Sequence, residues 1–462
     1  MTFGGHARSA FAVLFAPGAR IAAALVVLIA AGAGTWIKPA AAQFDFLMTP
    51  AQEAKIGAEQ HPIIVKEFGG VYNDPEITAY LNQIANRMAR QAGMRPKDLT
   101  FTVLNSPVVN AMALPGGYVY VTRGLVALAN SEAEIAGVIG HEIGHVVERH
   151  AADRFGKATV AGIGGLLAEI FTGSSMVGDL IGAGSTLYLL NNSRQDEYEA
   201  DLRGTQYLHS AGYERYGMSA LLGSLEMQTA LHSKVQGQAY DPNRVAYLST
   251  HPNTLKRQQR AREAALATGV AAGSVPNLAQ SYLQQIDGLL YGDDPREGYV
   301  RGRTFSHPDL RFSFTVPPQF RLINSTAHVD AVGPGNAQIR FDMVDPGRRV
   351  NLDAYMREWG QQYQVREIRG GQVRGMTAVT GTGQGNMNGT RVTVDLVAIA
   401  FQGNDIARFI MVAPRNSGTQ LENAFSDTVN SFRPLRANEV KKLKPLRVRV
   451  IQVKRGDTVE SL

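Results

Sequence analysis

The sequence predicts an α+β protein: a mostly helical first part that carries a small sheet, followed by a smaller α+β region. Three observations lead there. Apolar residues recur at helical spacing in the first part, as at Ile77, Tyr80, Leu81, Ile84 and Met88. Two short β-like runs, 101–105 and 118–122, interrupt the helices. Past residue 305 the pattern turns to alternation, as at Phe312, Phe314 and Val316, and Pro317-Pro318 ends that run. The 462 residues suffice for two or three domains. The expected divisions are 1–42, 43–285, a linker at 286–304, a small α+β domain at 305–435 and a basic tail at 436–462.

Residues 1–42 read as a secretory signal. Arg8 and Arg20 form a basic n-region, and Ile21 to Gly34 is an apolar stretch short for a membrane span. Ala40-Ala41-Ala42 offers a cleavage site, with an uncleaved anchor as the alternative. Of the net charge of +6, three positive charges (Arg8, Arg20 and Lys38) leave with the signal. The remainder is too mild to argue for nucleic acid, and no nucleic-acid motif is present. The chain has no cysteine, which excludes a lipid-modified cysteine and disulfides. Together these features predict a periplasmic protein.

Next, in order, Thr49 opens a helix, and Asp74-Pro75 supplies an N-cap and a first-turn proline for a second. Phe101 to Asn105 reads as a strand, 110–117 as a loop or bend, and Tyr118 to Thr122 as a second strand. A helix is expected from Ser131 to His150, opened by a capping box of Ser131 and Glu134. Gly137, Gly140 and Gly144 would weaken it in isolation, by about 1 kcal/mol each. They suit a helix that another backbone or a substrate approaches closely.

Within that helix stands His141-Glu142-Ile143-Gly144-His145. Positions i and i+4 share a helical face, so His141 and His145 can turn two imidazoles toward one metal ion. Glu142 lies beside them, where a carboxylate can take a proton from an activated water. This is the HExxH pattern of zinc peptidases. The bare motif also arises by chance in core helices, so it needs a third ligand. A ligand six residues past the second His is unlikely on spacing, because Ala151 stands there and His150 is one residue out of register. Glu169 is near but sits in an apolar, Gly-rich run. The remaining candidate is Ser193 to Asp201, where Glu197 and Asp201 again share a helical face. Glu197 can ligate while Asp201 fixes the tautomer of a ligand His, and Glu199 points elsewhere. A solvated acidic helix face is the competing reading.

HEIGH, then SRQDEYEAD, then Ser249-Thr250-His251-Pro252 resemble the gluzincin proteases that include the CAAX prenyl endopeptidases, the HtpX-type heat-shock proteases and the periplasmic BepA-type proteases. The resemblance covers about residues 45 to 265. It implies a zincin-like fold and one zinc ion per chain, with ligands His141, His145 and Glu197. It also implies Glu142 as general base and Asp201 as hydrogen-bond partner of a ligand. In the BepA-type branch a His matching His251 can also reach the metal and hold the enzyme latent. A capping or core histidine is the other reading of His251. Arg257 matches a recurrent Arg and is a candidate for the oxyanion or substrate. Related zincins lay substrate against an edge strand before the metal helix, which points to Tyr118, Val119, Tyr120, Val121 and Thr122 as that edge. The alternative is a buried strand. The resemblance further implies unfolded or misfolded envelope polypeptides as substrates and outer-membrane assembly machinery as a partner.

Residues 156–190 are rich in Gly, Ala, Leu and Ile, and read as a lid or amphipathic hairpin, with a membrane-inserted hairpin as the alternative; this stretch also leaves peripheral membrane contact of the protein open. In the second region, strands are expected at 311–316, 338–344, 376–380, 391–401 and 405–413, and helices at 352–359 and 419–432. His307 and His328 have no companions there, so binding or positioning is that region's expected role. It lacks the helical repeats of the BepA type. The end, Val453 to Leu462, resembles the opening of a LysM glycan-binding module but is too short for one. The sequence therefore predicts a zinc endopeptidase. The competing classes are an assembly scaffold with a latent metal site and a cell-wall peptidase.

Overall fold

The computed structural model describes residues 48–154, 192–235, 251, 254–387, 390–415, 418–458 and 461. The expected signal segment and the interval 156–190 lie outside the described residues.

Thr49 caps α1 (Pro50–Glu67) through reciprocal bonds with Gln52. Asp74 caps α2 (Pro75–Gln91), whose buried face is Ile77, Leu81, Ile84 and Met88. The small sheet follows, with β1 (Thr100–Leu104), β2 (Ala111–Leu114) and β3 (Tyr118–Thr122) in the order β1-β3-β2. The expected substrate edge, Tyr118, Val119, Tyr120, Val121 and Thr122, is therefore the central strand. It pairs parallel with β1 and antiparallel with β2, so both of its hydrogen-bonding sides are taken. The 111–114 stretch reads as a loop because Ala-Met-Ala-Leu has little intrinsic strand preference. β2, packed against the metal helix, forms one edge of this sheet and β1 the other.

Thr122 caps α3 (Arg123–Leu128), and Ser131 caps α4 (Glu132–Val147). The predicted capping box is only half formed. Ser131 accepts from the Glu134 N–H, but the Glu134 carboxylate accepts from the Asn130 N–H instead of that of Ser131. The helix also stops before His150. Glu148 ends it, and Arg149 adopts a left-handed φ of 58° before helical geometry resumes at His150. From Ala133 to His145 every residue of α4 is buried.

Ser193 and Asp196 form a reciprocal cap on α5 (Arg194–Ser210), which crosses α4 backbone to backbone. A Cβ on Gly140 would lie 3.3 Å from Gly204 Cα, and one on Gly204 would lie 3.0 Å from the His141 nitrogen. The close approach that the glycines predict is thus made by another helix. Next come α6 (Gly217–Val235), α7 (Thr254–Ala267) and α8 (Ala279–Ile286). One apolar core joins these helices to the sheet through Leu81, Val121, Ile139, Leu221, Ala261 and Tyr282.

The second region begins with β4 (Leu290–Tyr291), β5 (Tyr299–Arg301), β6 (Thr304–His307), β7 (Phe312–Thr315), β8 (Arg321–Asn324), β9 (Val329–Val332) and β10 (Gln338–Val344). It continues with α9 (Leu352–Trp359), β11 (Glu367–Val373), β12 (Met376–Met387), β13 (Thr390–Ala400), β14 (Ile406–Pro414), α10 (Thr419–Ser431), β15 (Arg433–Pro434), α11 (Ala437–Val440) and β16 (Leu446–Arg447). An antiparallel sheet in the order β11-β12-β13-β14-β10-β9-β8 and a smaller one, β15-β7-β6-β5, share a core built on Phe312, Phe314, Phe341, Phe409 and Phe432. Alternation splits the faces of β13. Val397 and Ile399 enter that core, while Leu396 and Ala398 meet α9 through Met356 and Trp359.

A polar seam ties the two regions together. Arg123, 1% exposed, donates to the Asn105 side chain and the Leu290 carbonyl, and Asn105 donates to Asp294 at 2.6 Å. The basic tail returns to this seam. β16 pairs antiparallel with β4, and Val448 N–H donates to the Leu289 carbonyl at 2.9 Å. Among the described residues no helix is long and apolar enough to cross a membrane.

Glu297 lies at this seam, and its carboxyl is pushed up to about 6 by burial and then by the Asp294 carboxylate. A folded-state pKa above the unfolded one means stability is present below about 4.5 and lost as pH rises through 6. Glu297→Gln should therefore melt later than the wild type at pH 8 and together with it at pH 4. The shift sets an upper bound of about 2 kcal/mol before solvent screening. Thermal melts at the two pH values check this, and an equal difference at both would contradict it.

Candidate metal centre

The α4–α5 crossing places the ligand atoms. His141 and His145, one turn apart on α4, bring their Nε2 atoms to 3.0 Å of each other. Glu197, on the first turn of α5, reaches both, with Oε1 3.3 Å from His145 Nε2 and Oε2 3.6 Å from His141 Nε2. His251 comes from before α7, with Nδ1 2.8 Å from Glu197 Oε1 and 3.3 Å from His141 Nε2. One ligand atom from each of His141, His145, Glu197 and His251 lies within 4.8 Å of the others, and all four residues are buried.

This arrangement fits a cation better than it fits a set of internal hydrogen bonds. Two Nε2 atoms 3.0 Å apart can share at most one proton, whereas both can offer lone pairs to a metal. Glu197 Oε2 is buried without an aligned hydrogen bond, although Arg257 Nη1 stands 2.8 Å away as an ion pair. Three imidazoles and a carboxylate are a donor set that suits zinc.

The surrounding charges set the protonation states. Burial and the neighbouring His141 hold the His145 imidazole well below its ordinary pKa, which favours the neutral, ligating form. Burial alone would raise Glu197 and Asp201, but Arg257 together with His251 and His145 at Glu197, and with His141 at Asp201, outweighs it and keeps both carboxylates low. Asp201 Oδ1 stands 2.9 Å from His141 Nδ1, where it can fix that ring's tautomer. Arg257 is 2% exposed and grips Asp201 through Nε and Nη2 at 2.8 and 2.7 Å. Its fork is thus taken up by Asp201 and Glu197, which makes it the counter-charge of the acidic pair, and it also lines the small cavity beside His141, Glu142 and His251. Glu142 is 2% exposed, and burial lifts its carboxyl above the ordinary value against the pull of His251 and His141. Its Oε1 lies 3.6 Å from His251 Nε2.

The structure brings together His141, Glu142, His145, Glu197, Asp201, His251 and Arg257, and it leaves Tyr118–Thr122 in the sheet interior. Sequence reasoning missed two neighbours. Asn192 places Nδ2 3.4 Å from both His145 Nε2 and His251 Nδ1. His150 places Nδ1 2.8 Å from His145 Nδ1. A His five residues past a ligand His is off the helical face, so spacing alone gave no signal for it. His307 and His328 make local contacts only, with the Leu310 N–H and with Asp330.

Comparison with known proteins agrees with this site. Residues 75–265 match Peptidase family M48. The mitochondrial metalloendopeptidase OMA1 of Arabidopsis thaliana is 39% identical over 158 residues, which cover 34% of this chain and 30% of that one. The beta-barrel assembly-enhancing protease of Escherichia coli (strain K12) is 30% identical over 171 residues, covering 35% of each. The OMA1 of Schizosaccharomyces pombe is 25% identical over 215 residues, covering 46% of this chain and 60% of that one. The chain thus spans about a third of the length of the first two relatives. Residues 75–265, the span that matches Peptidase family M48, hold every ligand of the candidate centre.

Proposed function

We propose that the chain is a zinc-dependent endopeptidase of the periplasm, with one zinc ion per chain, acting on unfolded or misfolded envelope polypeptides. The observation that carries this reading is the convergence of His141, His145, Glu197 and His251, with the Glu142 carboxyl beside them. Zinc, when bound, lowers the pKa of water to about 7 and polarises a carbonyl. His141, His145 and Glu197 hold it, and Asp201 orients His141. Glu142 takes a proton from the attacking water and returns it to the leaving amine, a task suited to a carboxyl with a raised pKa. The β2 edge, Ala111–Leu114, replaces Tyr118–Thr122 as the place where a substrate strand pairs through its backbone, which tolerates many sequences.

His251 makes the site latent. It occupies the fourth ligand position and faces Glu142 at 3.6 Å. Among the described residues, the cavity bounded by Ala111, Val138, His141, Glu142 and His251 is about 20 Å³. That is room for roughly one water and not for a polypeptide. The same observation favours a second reading, an assembly factor whose metal site stays closed. The expected outer-membrane assembly machinery enters as a partner because one relative is named a beta-barrel assembly-enhancing protease. The expected signal at 1–42 supports the periplasm, and the apolar interval 156–190 supports peripheral membrane contact.

The test is cleavage of casein by the zinc-loaded mature chain and by His251→Ala. Slow cleavage is expected from the wild type. If about a tenth of the molecules are open, the variant should gain about tenfold. Chelation should abolish both activities, and added zinc should restore them. Zinc bound one per chain with neither protein cutting would move the scaffold reading ahead.

A further inference from the structure

We propose that His150 is the positioning residue for His145: it accepts the Nδ1 proton of that imidazole and leaves Nε2 free for the metal, with the Glu199 carboxylate facing its other nitrogen. The proposal rests on the reading that His141, His145 and Glu197 hold zinc.

The two ligand histidines of α4 need the same service. Each must carry its proton on Nδ1 if Nε2 is to bind a cation, and a buried Nδ1–H needs an acceptor. His141 has the Asp201 carboxylate. His145 Nδ1 instead meets His150 Nδ1 at 2.8 Å, with ring centroids 5.0 Å apart and planes at 72°. With the proton on His145, His150 must offer a lone pair at Nδ1 and so carries its own proton on Nε2. That nitrogen faces Glu199 Oε2 at 3.6 Å. His150 is 5% exposed, whereas the Glu199 side chain is 41% exposed. The path therefore runs from the ligand to a carboxylate at the protein surface.

The backbone is shaped to make this contact. A continuous helix would carry residue 150 about 140° around the axis from residue 145, off its face. The chain instead leaves α4 after Val147 and turns through Arg149 at φ 58°, a conformation that L-residues adopt reluctantly. Arg149 is held there by α1. Its Nε donates to Glu53 Oε1 at 2.7 Å, and its Nη2 reaches the Met48 carbonyl. The turn swings His150 back onto His145. Three of the four acids of the α5 motif then face the site, Glu197 as ligand, Asp201 behind His141 and Glu199 behind His150, while Asp196 caps the helix.

The experiment is zinc affinity, measured by competition with a chromogenic chelator, for the full mature chain and its His150→Asn, His150→Leu and Glu199→Gln variants. Melts of the metal-free proteins run alongside. Asn can place an acceptor near the Nδ1 position, whereas Leu fills space without accepting. His150→Leu should bind zinc about 10–100-fold more weakly, the range for loss of a ligand's hydrogen-bond partner. His150→Asn should recover most of that loss, and Glu199→Gln should show a smaller one. Equal affinities for Leu and wild type would overturn the proposal. Equal weakening in Leu and Asn would do so too, because it would make His150 a packing residue. If the wild type binds zinc but does not cut casein, the peptidase reading falls while this comparison still decides the role of His150. If the wild type binds no zinc, both fall.

Discussion

Replacing Glu142 with Gln is expected to lower casein cleavage by about 10²–10⁴-fold, the usual contribution of a positioned acid–base group. Zinc content should not change. The amide keeps the volume of the carboxyl in a pocket where Glu142 is 2% exposed, so the packing of α4 is preserved. It cannot accept and return a proton. The three proposed ligands, His141, His145 and Glu197, are untouched, so metal analysis should still find one zinc per chain. The comparison is best made in a His251→Ala background, where the proposed latency no longer masks the rate. Cleavage at the parent rate by the Gln variant would mean that another group moves the proton.

The second large effect is on stability. Arg257→Met should destabilise the metal-free protein by about 3–5 kcal/mol, because it leaves buried carboxylates without their cation. Asp201 and Glu197 are 1% and 0% exposed, and Arg257 is the largest pull keeping both ionised against the cost of burial. A divalent cation supplies positive charge at the same place. The loss should therefore be smaller in the zinc-loaded protein than in the metal-free one. Denaturant titrations of both forms read this directly. Arg257→Lys keeps the charge but loses the fork that spans Asp201 and Glu197, so it should fall between the two. A metal-free Met variant as stable as the wild type would show that the carboxylates accept protons at little cost.

Much of the site was legible because it follows helical geometry. His141, His145, Glu197 and Asp201 each sit at i and i+4 on a capped helix, and the cap at Ser131 was visible as a residue type. What escaped reading depends on tertiary placement. The order of the sheet could not be seen, because Ala111 to Leu114 carries almost no strand signal and becomes a strand only when paired with β3. His150 was hidden by a left-handed Arg149 whose partner, Glu53, lies 96 residues away in the chain. Arg257 could be matched to a motif, but its bidentate hold on Asp201 is a contact across α5 and α7 that spacing cannot supply. In the second region, alternation located the long strands, whereas the docking of β16 on β4 rests on two residues of backbone pairing.

The crossing of α4 and α5 has a mechanical consequence. At Gly140 and Gly204 the helices meet main chain to main chain, with the Met88 side chain of α2 closing against Gly140, so the joint has little free volume to lose. The span from the two imidazoles to the carboxylate is thereby set by main-chain contact. Hydrostatic pressure, which acts by eliminating voids, should find little to compress there. Chain length and loop content can then vary around the joint without retuning the grip on the metal.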